Sequence, residues 1–310
     1  MHIIVLGADG RLSQAVSRAA LEAEHAVTGV TRSGRMRRPI EGVSVRAADA
    51  LNEAALVAAC RDADVVFNGL NPPYPRWSAA ALPMARNVLA ACRAANAGQL
   101  FAGNVYNHGE AMPERLMPDT PQRPSTRKGR IRAEMEALFE AAAPEVATTV
   151  LRAGDFFGGT VAGSWFDLAV AKDVDKGRVT HPGPRDRVHA WAFLPDLARA
   201  FVRLAEANLP GFHRFGFEGH AMTGGELHAA LEAAAGRPLK AKEMPWPLLR
   251  VLGWVQPAMR EVCEMEYLWR VPHRLDGTAL EAAVGPLTHS PRDEAVAAAL
   301  RDLRTSDPER

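Results

Sequence analysis

The chain has 310 residues, in which 37 basic side chains nearly balance 36 acidic ones, and this argues against a protein dedicated to binding nucleic acid. Its three cysteines lie far apart and outside any Cys-x-x-Cys spacing, so neither a disulfide framework nor a metal site is expected. No apolar run approaches the roughly 20 residues that a membrane-spanning helix needs. We therefore expect a soluble, cytoplasmic protein with neither a membrane nor a nucleic acid as partner.

The N-terminal segment predicts a dinucleotide-binding loop. His2–Leu6 is a short apolar run typical of a buried strand, and an Ala-rich segment with helical spacing begins at Arg11. Between them, Gly7 allows a tight turn, and Gly10 lets the backbone approach a pyrophosphate that the free N–H groups of the helix would bind. Ser13 stands where this motif has its third glycine. The predicted cofactor contacts of the loop are Gly7, Asp9, Gly10, Arg11 and Leu12.

Strands and helices alternate through the first half of the chain. The predicted strands are Ala26–Val30, Val43–Arg46, Asp64–Gly69, Gln99–Val105 and Ala147–Leu151, and the predicted helices are Asn52–Cys60, Trp77–Ala95 and Arg127–Ala142. Such alternation is typical of an α/β fold with a Rossmann-type, doubly wound parallel sheet, in which ligands bind at the carboxyl ends of the strands.

The pattern becomes irregular after Arg152. A stretch rich in Gly, Pro and charge, 154–187, precedes one clean helix at Leu194–Ala207, and a last helix is predicted around Pro291–Leu303. We predict a dinucleotide-binding domain over 1–152, to which 187–207 returns. The remaining segments, 153–186 and 208–304, form a smaller mixed substrate domain, and 305–310 is a frayed tail.

The residue after the second strand bears on the choice of cofactor. An NAD-specific site usually has an acid there, whereas this chain has Arg32. A guanidinium suits the 2′-phosphate of NADP, which a carboxylate would repel. The alternative is that this basic segment is merely a solvated loop. We predict Arg32 as a phosphate ligand and NADP(H) as the preferred cofactor over NAD(H).

The order of these segments resembles the extended short-chain dehydrogenase/reductases, the NAD-dependent epimerase/dehydratase superfamily, over nearly the whole chain. The matching segments are GADGRLS (7–13), Ala48-Asp49, Asn68-Gly69-Leu70, Val105-Tyr106, LRAGDFFG (151–158) and FLPDLA (193–198). The resemblance implies that Asp49, Ala50, Asn68, Gly69 and Leu70 contact the cofactor.

The catalytic positions depart from the family pattern. Typical members use a Ser or Thr near the end of the fifth strand, then a Tyr that transfers a proton and a Lys four residues later. Alignment places these positions on Ala102, Thr126 and Arg130. The Thr126 hydroxyl is far too weak an acid to replace a phenol, and Arg130 keeps a positive charge but cannot release a proton. We expect the three side chains to share one cleft, with Arg130 facing the cofactor ribose.

Other residues are candidates for the chemistry. Tyr106 shares strand parity with Ala102 and Asn104, so it is predicted to face the same cleft, although a structural packing role is the alternative. The catalytic candidates are therefore Tyr106, Asn104, Thr126 and Arg130.

Four further residues are candidates for contacting the substrate, namely Tyr74, Asp155, Trp165 and His189. In the resemblance, Asp155 replaces an Asn that contacts substrate, and His189 replaces an Arg that binds the diphosphate of nucleotide sugars. A smaller, less charged substrate is therefore expected, although Arg185 and Arg187 lie close by.

Two functions remain open. The first is an NAD(P)-dependent oxidoreductase or epimerase/dehydratase-like enzyme acting on a small carbonyl or hydroxyl compound. The second is a catalytically inactive NADP(H)-binding sensor or regulatory protein. The expected partners are a small-molecule substrate and, at most, a second copy of the chain in a homodimer.

Overall fold

The computed structural model describes residues 1–306. Its strands are β1 (His2–Leu6), β2 (Ala26–Thr31), β3 (Val43–Ala47), β4 (Val65–Asn68), β5 (Gly98–Gly103), β6 (Arg115–Leu116), β7 (Thr148–Arg152), β8 (Asp155–Phe157), β9 (Arg178–His181), β10 (Val188–Phe193), β11 (Phe212–Gly216), β12 (His220–Thr223), β13 (Lys240–Glu243) and β14 (Arg274–Leu275). Its helices are α1 (Arg11–Glu22), α2 (Glu53–Cys60), α3 (Trp77–Ala95), α4 (Arg127–Ala142), α5 (Leu194–Ala207), α6 (Gly224–Ala235), α7 (Trp246–Leu252), α8 (Pro257–Cys263), α9 (Thr278–Val284) and α10 (Arg292–Ser306). None of the helices described is long and apolar enough to cross a membrane.

Seven parallel strands form the central sheet, in the order β11-β7-β5-β4-β1-β2-β3. The register aligns Leu6 of β1 with Val30 of β2 and with Asn68 of β4, so the carboxyl ends of these strands meet at one edge. The Rossmann-type, doubly wound sheet predicted from the sequence is confirmed.

The apolar run of β1 is buried on both faces of the sheet. Ile4 and Leu6 belong to a core shared with α2, α3 and α4, whereas Ile3 and Val5 pack with α1 and α5. Successive side chains of a strand point to opposite faces, so a central parallel strand needs apolar residues at every position.

A smaller layer follows the central sheet. Strands β8, β10 and β12 form one short sheet and β9 pairs with β13, while an aromatic core lies against α6 and α10. Strand β11, however, joins the central sheet beside β7, whereas the sequence predicts that 208–304 belongs to the smaller domain. A parallel partner after a crossover helix normally lies beside the preceding strand, and α5 supplies that crossover. The domain boundaries themselves stay a prediction.

Two element boundaries differ from the prediction in ways that affect the site. Strand β5 ends at Gly103, and Tyr106–His108 is a turn of 3-10 helix, because the Asn104 side chain accepts a hydrogen bond from the Tyr106 N–H at 3.1 Å. The shared parity of Tyr106 and Ala102 predicts that both lie on one strand, but Tyr106 lies beyond the end of β5. Of the predicted tail, 305–306 belongs to α10, and 307–310 lies outside the described residues.

Candidate cofactor and substrate site

The turn between β1 and α1 has the geometry of a dinucleotide-binding loop. Gly7 has a φ of +66°, which strains any other residue, and a Cβ there would lie 3.1 Å from the carbonyl oxygen of Gly69. Gly10 is the N-cap of α1, whose first turn has neither a side-chain cap nor an acidic residue. The first N–H groups of α1 therefore lack intrahelical partners and can accommodate a pyrophosphate.

Ser13 replaces the third glycine of the motif because Gly69 leaves room for it. The Ser13 hydroxyl donates to the carbonyl of Leu6 at 3.3 Å, and a Cβ at position 69 would collide with that hydroxyl. The third glycine of the motif normally permits close packing of the helix on the sheet. Here Gly69, which directly follows β4, permits the close packing of α1 instead.

The remaining loop residues already have protein partners. Asp9 accepts a hydrogen bond at 2.8 Å from a backbone N–H of the segment after β2. Leu12 is buried in the core, so only its backbone is available to a cofactor. Arg11 donates to Asp167 at 2.5 Å and to the carbonyl of Gly158 at 2.8 Å. A cofactor that used the Arg11 guanidinium would therefore compete with Asp167.

The ends of β2 and β3 lie side by side, since Thr31 is paired with Ala47. Arg32 follows directly, is exposed, and has no ion-pair partner within residues 1–306. Asp49 is also exposed and accepts a hydrogen bond from the Leu51 N–H at 3.0 Å, whereas Ala50 is buried. The guanidinium of Arg32 is thus free for a phosphate at this edge.

Thr126 and Arg130, the positions aligned with the family's Tyr and Lys, both lie at the beginning of α4. Thr126 is the N-cap, where its hydroxyl accepts from the Gly129 N–H at 3.1 Å, and Arg130 is exposed. Arg132 is buried, and its Nη1 lies 3.5 Å from the carbonyl oxygen of Ala102. Arg130 and Arg132 are two positions, or about 200°, apart around the helix, so they face different directions. The expected shared cleft of Ala102, Thr126 and Arg130 stays a prediction.

Arg132 lines a largely apolar cavity between α3 and α4. Its guanidinium packs 4.7 Å from the Trp77 ring and 5.0 Å from the Phe101 ring, and its Nε has no hydrogen-bond partner in the described structure. Asn68 and Leu70 line the same cavity, at the carboxyl end of β4. A buried guanidinium with an unused donor is suited to bind oxygen atoms of a ligand.

Two tyrosines meet beside this cavity. The hydroxyls of Tyr74 and Tyr106 lie 3.3 Å apart, and Arg132 and Asp155 are the charges that act on both. Burial raises the pKa of Tyr106 well above its usual value of 10 and also raises that of Tyr74. Both phenols therefore stay protonated near neutral pH, and at least one can donate a hydrogen bond to a ligand.

The lysine closest to these tyrosines is held by acids. Lys128 is fully buried, and its ammonium lies 4.9 Å from the centre of the Tyr74 ring. It donates to a carboxylate oxygen of Glu261 and, at 2.5 Å, to Glu264. Because two carboxylates neutralise it, Lys128 is poorly placed to lower the pKa of a phenol.

Asp155 and His189 form a hydrogen-bonded pair on the adjoining strands β8 and β10. His189 Nε2 lies 2.8 Å from Asp155 Oδ2, so the carboxylate accepts the Nε2 proton. The imidazole stacks on Trp269 with ring centres 4.1 Å apart and planes 7° apart, and its Nδ1 is buried without a partner. The imidazole also packs against His273, with ring centres 4.6 Å apart, and burial lowers the pKa of His273 to about 3.

His189, Trp191 and Trp269 line a second cavity, which we call the aromatic pocket. It lies between the loop that follows β9, strand β10 and the beginning of α6. Trp165 contacts Trp269 at 5.3 Å between ring centres but is not among the lining residues. Its predicted contact with substrate stays a prediction.

Sequence reasoning missed Arg132, Lys128 and Trp269. The sequence does contain a signal for the two cations, because they share the spacing of a buried helical face with two apolar residues. That face consists of Lys128, Ile131, Arg132 and Met135. Trp269 offered none, since its partner His189 is distant in the sequence and the contact depends on how the C-terminal segment folds back.

Comparison with known proteins agrees with this geometry. Residues 7–159 match the family model described as NAD(P)H-binding. No curated protein matches the sequence significantly.

Solved structures share the fold at low sequence identity. The UDP-glucose 4-epimerase of Thermotoga maritima with UDP-glucose has a TM-score of 0.78 at 16% identity, covering 98% of this chain and 99% of that one. WbmH of Bordetella bronchiseptica with NAD+ gives 0.75 at 17%, with 98% of both chains covered. The UDP-glucose 4-epimerase of Bifidobacterium longum with NAD+ and UDP gives 0.74 at 17%, with 99% of both covered.

Proposed function

We propose that the chain is an NADP(H)-dependent oxidoreductase or epimerase/dehydratase-like enzyme of the extended short-chain dehydrogenase/reductase type, acting on a small carbonyl or hydroxyl compound, with residues 7–159, which match the NAD(P)H-binding family model, as its nucleotide-binding part. The nicotinamide, when bound, would supply or accept a hydride, and the protein's part is to hold the cofactor and the substrate.

The observation that carries this proposal is the series of neighbouring groups that leads from the glycine loop to Arg132. A Cβ at Gly7 would lie 3.1 Å from the carbonyl oxygen of Gly69, the adjacent Asn68 lines the cavity of Arg132, and the charge of Arg132 acts on both members of the Tyr74–Tyr106 pair. A dinucleotide with its pyrophosphate on α1 would extend past these groups. Arg132, rather than Arg130, would then hold the nicotinamide ribose, as a cation whose Nε has no partner in the described structure and which lines the same cavity as Asn68.

The preference for NADP(H) rests on Arg32. Its guanidinium is exposed at the end of β2 without a partner within residues 1–306, while the carboxylate of Asp49 occupies the end of the neighbouring strand. Charge-assisted pairing with a 2′-phosphate favours NADP(H) over NAD(H).

The substrate would be oriented by the phenols. Tyr106 is protonated at neutral pH, so it can donate a hydrogen bond to a carbonyl oxygen and pass its proton to that oxygen as the carbonyl is reduced. Asn104 would be a positioning residue, since its side chain accepts the backbone N–H of Tyr106 and thereby fixes the turn.

A second candidate is a cofactor-binding sensor without turnover. The observation that favours it is the pairing of Lys128 with Glu261 and Glu264. Because both carboxylates neutralise its charge, Lys128 does not lower the pKa of the buried tyrosines as the lysine of typical family members would.

The experiment that separates the candidates has two parts. First, mass spectrometry of nucleotide released from the purified protein, together with titration by NADPH and NADH, should show that NADPH binds more tightly. Second, a panel of small aldehydes and ketones should oxidise bound NADPH, and Tyr106→Phe should reduce that rate without changing NADPH affinity. Binding without turnover on any panel member would favour the sensor, and no binding of either nucleotide would overturn both.

A further inference from the structure

The aromatic pocket contains two buried polar atoms that nothing in the described structure satisfies. One is Nδ1 of His189 and the other is the indole Nε1 of Trp269. Both rings are more than nine-tenths buried, and both line the pocket. Buried polar groups are nearly always hydrogen-bonded in native proteins, so two such atoms on stacked rings are candidates to pair with a ligand.

The two atoms differ in what they require. The indole N–H can only donate. His189 donates its Nε2 proton to Asp155, and in the neutral ring Nδ1 must then be an acceptor. A ligand group that serves both atoms must accept one hydrogen bond and donate another, which an alcohol hydroxyl does.

The walls of the pocket limit the rest of the ligand. Trp191, Leu227 and Val170 are buried apolar side chains that line it. The only group there with a permanent charge is Arg187, which is half exposed at the rim and lies 3.8 Å from Asp186. The imidazole of His181 is turned to His228, with 2.9 Å between their facing nitrogens. An uncharged ligand therefore fits better than a phosphate.

We propose that the aromatic pocket binds the apolar body of an uncharged alcohol, whose hydroxyl donates to Nδ1 of His189 and accepts from Nε1 of Trp269. Asp155 is a positioning residue, since it fixes the tautomer that makes Nδ1 an acceptor. This inference rests on the proposed function in one respect, because it names the substrate class of the same enzyme.

The test uses benzyl alcohol as the probe, with toluene and benzoate as matched ligands that lack the hydroxyl or carry a charge. Calorimetry on the full-length protein should show benzyl alcohol binding roughly ten- to a hundredfold more tightly than toluene, as expected for two hydrogen bonds to otherwise unpaired groups. Imidazole nitrogen NMR should show His189 as the Nε2–H tautomer, with its Nδ1 resonance shifted by benzyl alcohol only.

Variants separate a hydroxyl site from general apolar binding. His189→Phe should abolish the preference for benzyl alcohol over toluene, and Trp269→Phe, which keeps a ring but removes the donor, should reduce it. Asp155→Ala should yield a mixture of His189 tautomers. The matched control is His220→Phe, since His220 also has an unpartnered Nε2 but does not line the pocket.

Equal affinity for benzyl alcohol and toluene would overturn the inference, as would tighter binding of benzoate, which would make this an anion site. An Nδ1–H tautomer in the unliganded protein would do the same. Titration with NADPH on the same samples keeps the two proposals apart. His189→Phe should retain wild-type NADPH affinity, and a failure of NADPH to bind the wild type would count against the proposed function while leaving the pocket result standing.

Discussion

Arg32 is the residue on which the proposed preference for NADP(H) rests. A charge-assisted hydrogen bond contributes on the order of 1.5–3 kcal/mol, so Arg32→Ala should weaken NADPH binding roughly ten- to a hundredfold. NADH has no 2′-phosphate, so its affinity should barely change. Fluorescence titration of the bound nicotinamide measures both. Arg35→Ala, at another exposed arginine of the same loop, is the control and should have a smaller effect. Equal affinity of the wild-type protein for NADPH and NADH would refute this prediction.

Lys128 is a buried charge that needs a carboxylate partner. Lys128 and Glu261 are 0% and 4% exposed, and they join α4 to α8. Lys128→Met leaves that carboxylate buried without its main partner and should lower the free energy of unfolding by about 3–5 kcal/mol. Urea denaturation measures the loss. The double variant Lys128→Met/Glu261→Gln should recover much of it, and a single variant as stable as the wild type would show that the pair is not structural.

Helix α1 carries the prediction for the cofactor loop. A Cβ at Gly10 would already lie 3.1 Å from the carbonyl oxygen of Gly7, and the branched side chain of Gly10→Val would occupy the approach path of a pyrophosphate. We expect this variant to fold but to bind neither NADPH nor NADH measurably. Circular dichroism and the same titration test it. Unchanged cofactor affinity in a folded Gly10→Val protein would mean that another loop binds the nucleotide.

Helix α6, which borders the aromatic pocket, depends on its N-terminal cap. The Thr223 hydroxyl accepts from the Glu226 N–H at 3.1 Å, and the Glu226 carboxylate accepts from the Thr223 N–H at 2.7 Å. Thr223→Ala removes one side of this capping box and should cost about 1 kcal/mol of stability, whereas Thr223→Ser should cost much less. Thermal and urea unfolding distinguish them, and equal stability of the two variants would contradict the capping role.

The whole molecule should lose stability in mild acid. Burial is the largest cause that lowers the pKa of His108 to about 4, of His181 to about 4 and of His273 to about 3. The unfolded chain, with a histidine pKa near 6.5, binds these protons first. Their contribution to stability is therefore complete above about pH 6.5 and is lost as the pH falls towards the folded values.

Between pH 7 and pH 5 the free energy of unfolding should fall by about 1–2 kcal/mol for each of the three histidines. Urea titrations at the two pH values measure this fall. In His108→Leu the fall should be smaller by the contribution of one histidine. A free energy of unfolding that is the same or higher at pH 5 would show that these rings are not held neutral by the fold.

The sequence by itself determined six of the seven strands of the central sheet and the glycine turn that follows the first of them. Their signals are local: an apolar run at His2–Leu6, glycines at fixed offsets, and a helical period over Trp77–Ala95 and Arg127–Ala142, whose bounds match those observed. Parallel strands buried on both faces leave few alternatives to such patterns, because each central position must be apolar.

Only the tertiary structure decided the site. Whether Arg130 or Arg132 faces inward depends on the rotation of α4 about its axis, and an alignment made through a few loose matches leaves that undetermined. The Asp155–His189 pair and its stacking on Trp269 join three segments that are far apart along the chain. Burial then sets which tyrosines stay protonated and which polar atoms lack a partner, and burial is a property of the packed molecule that no local pattern contains.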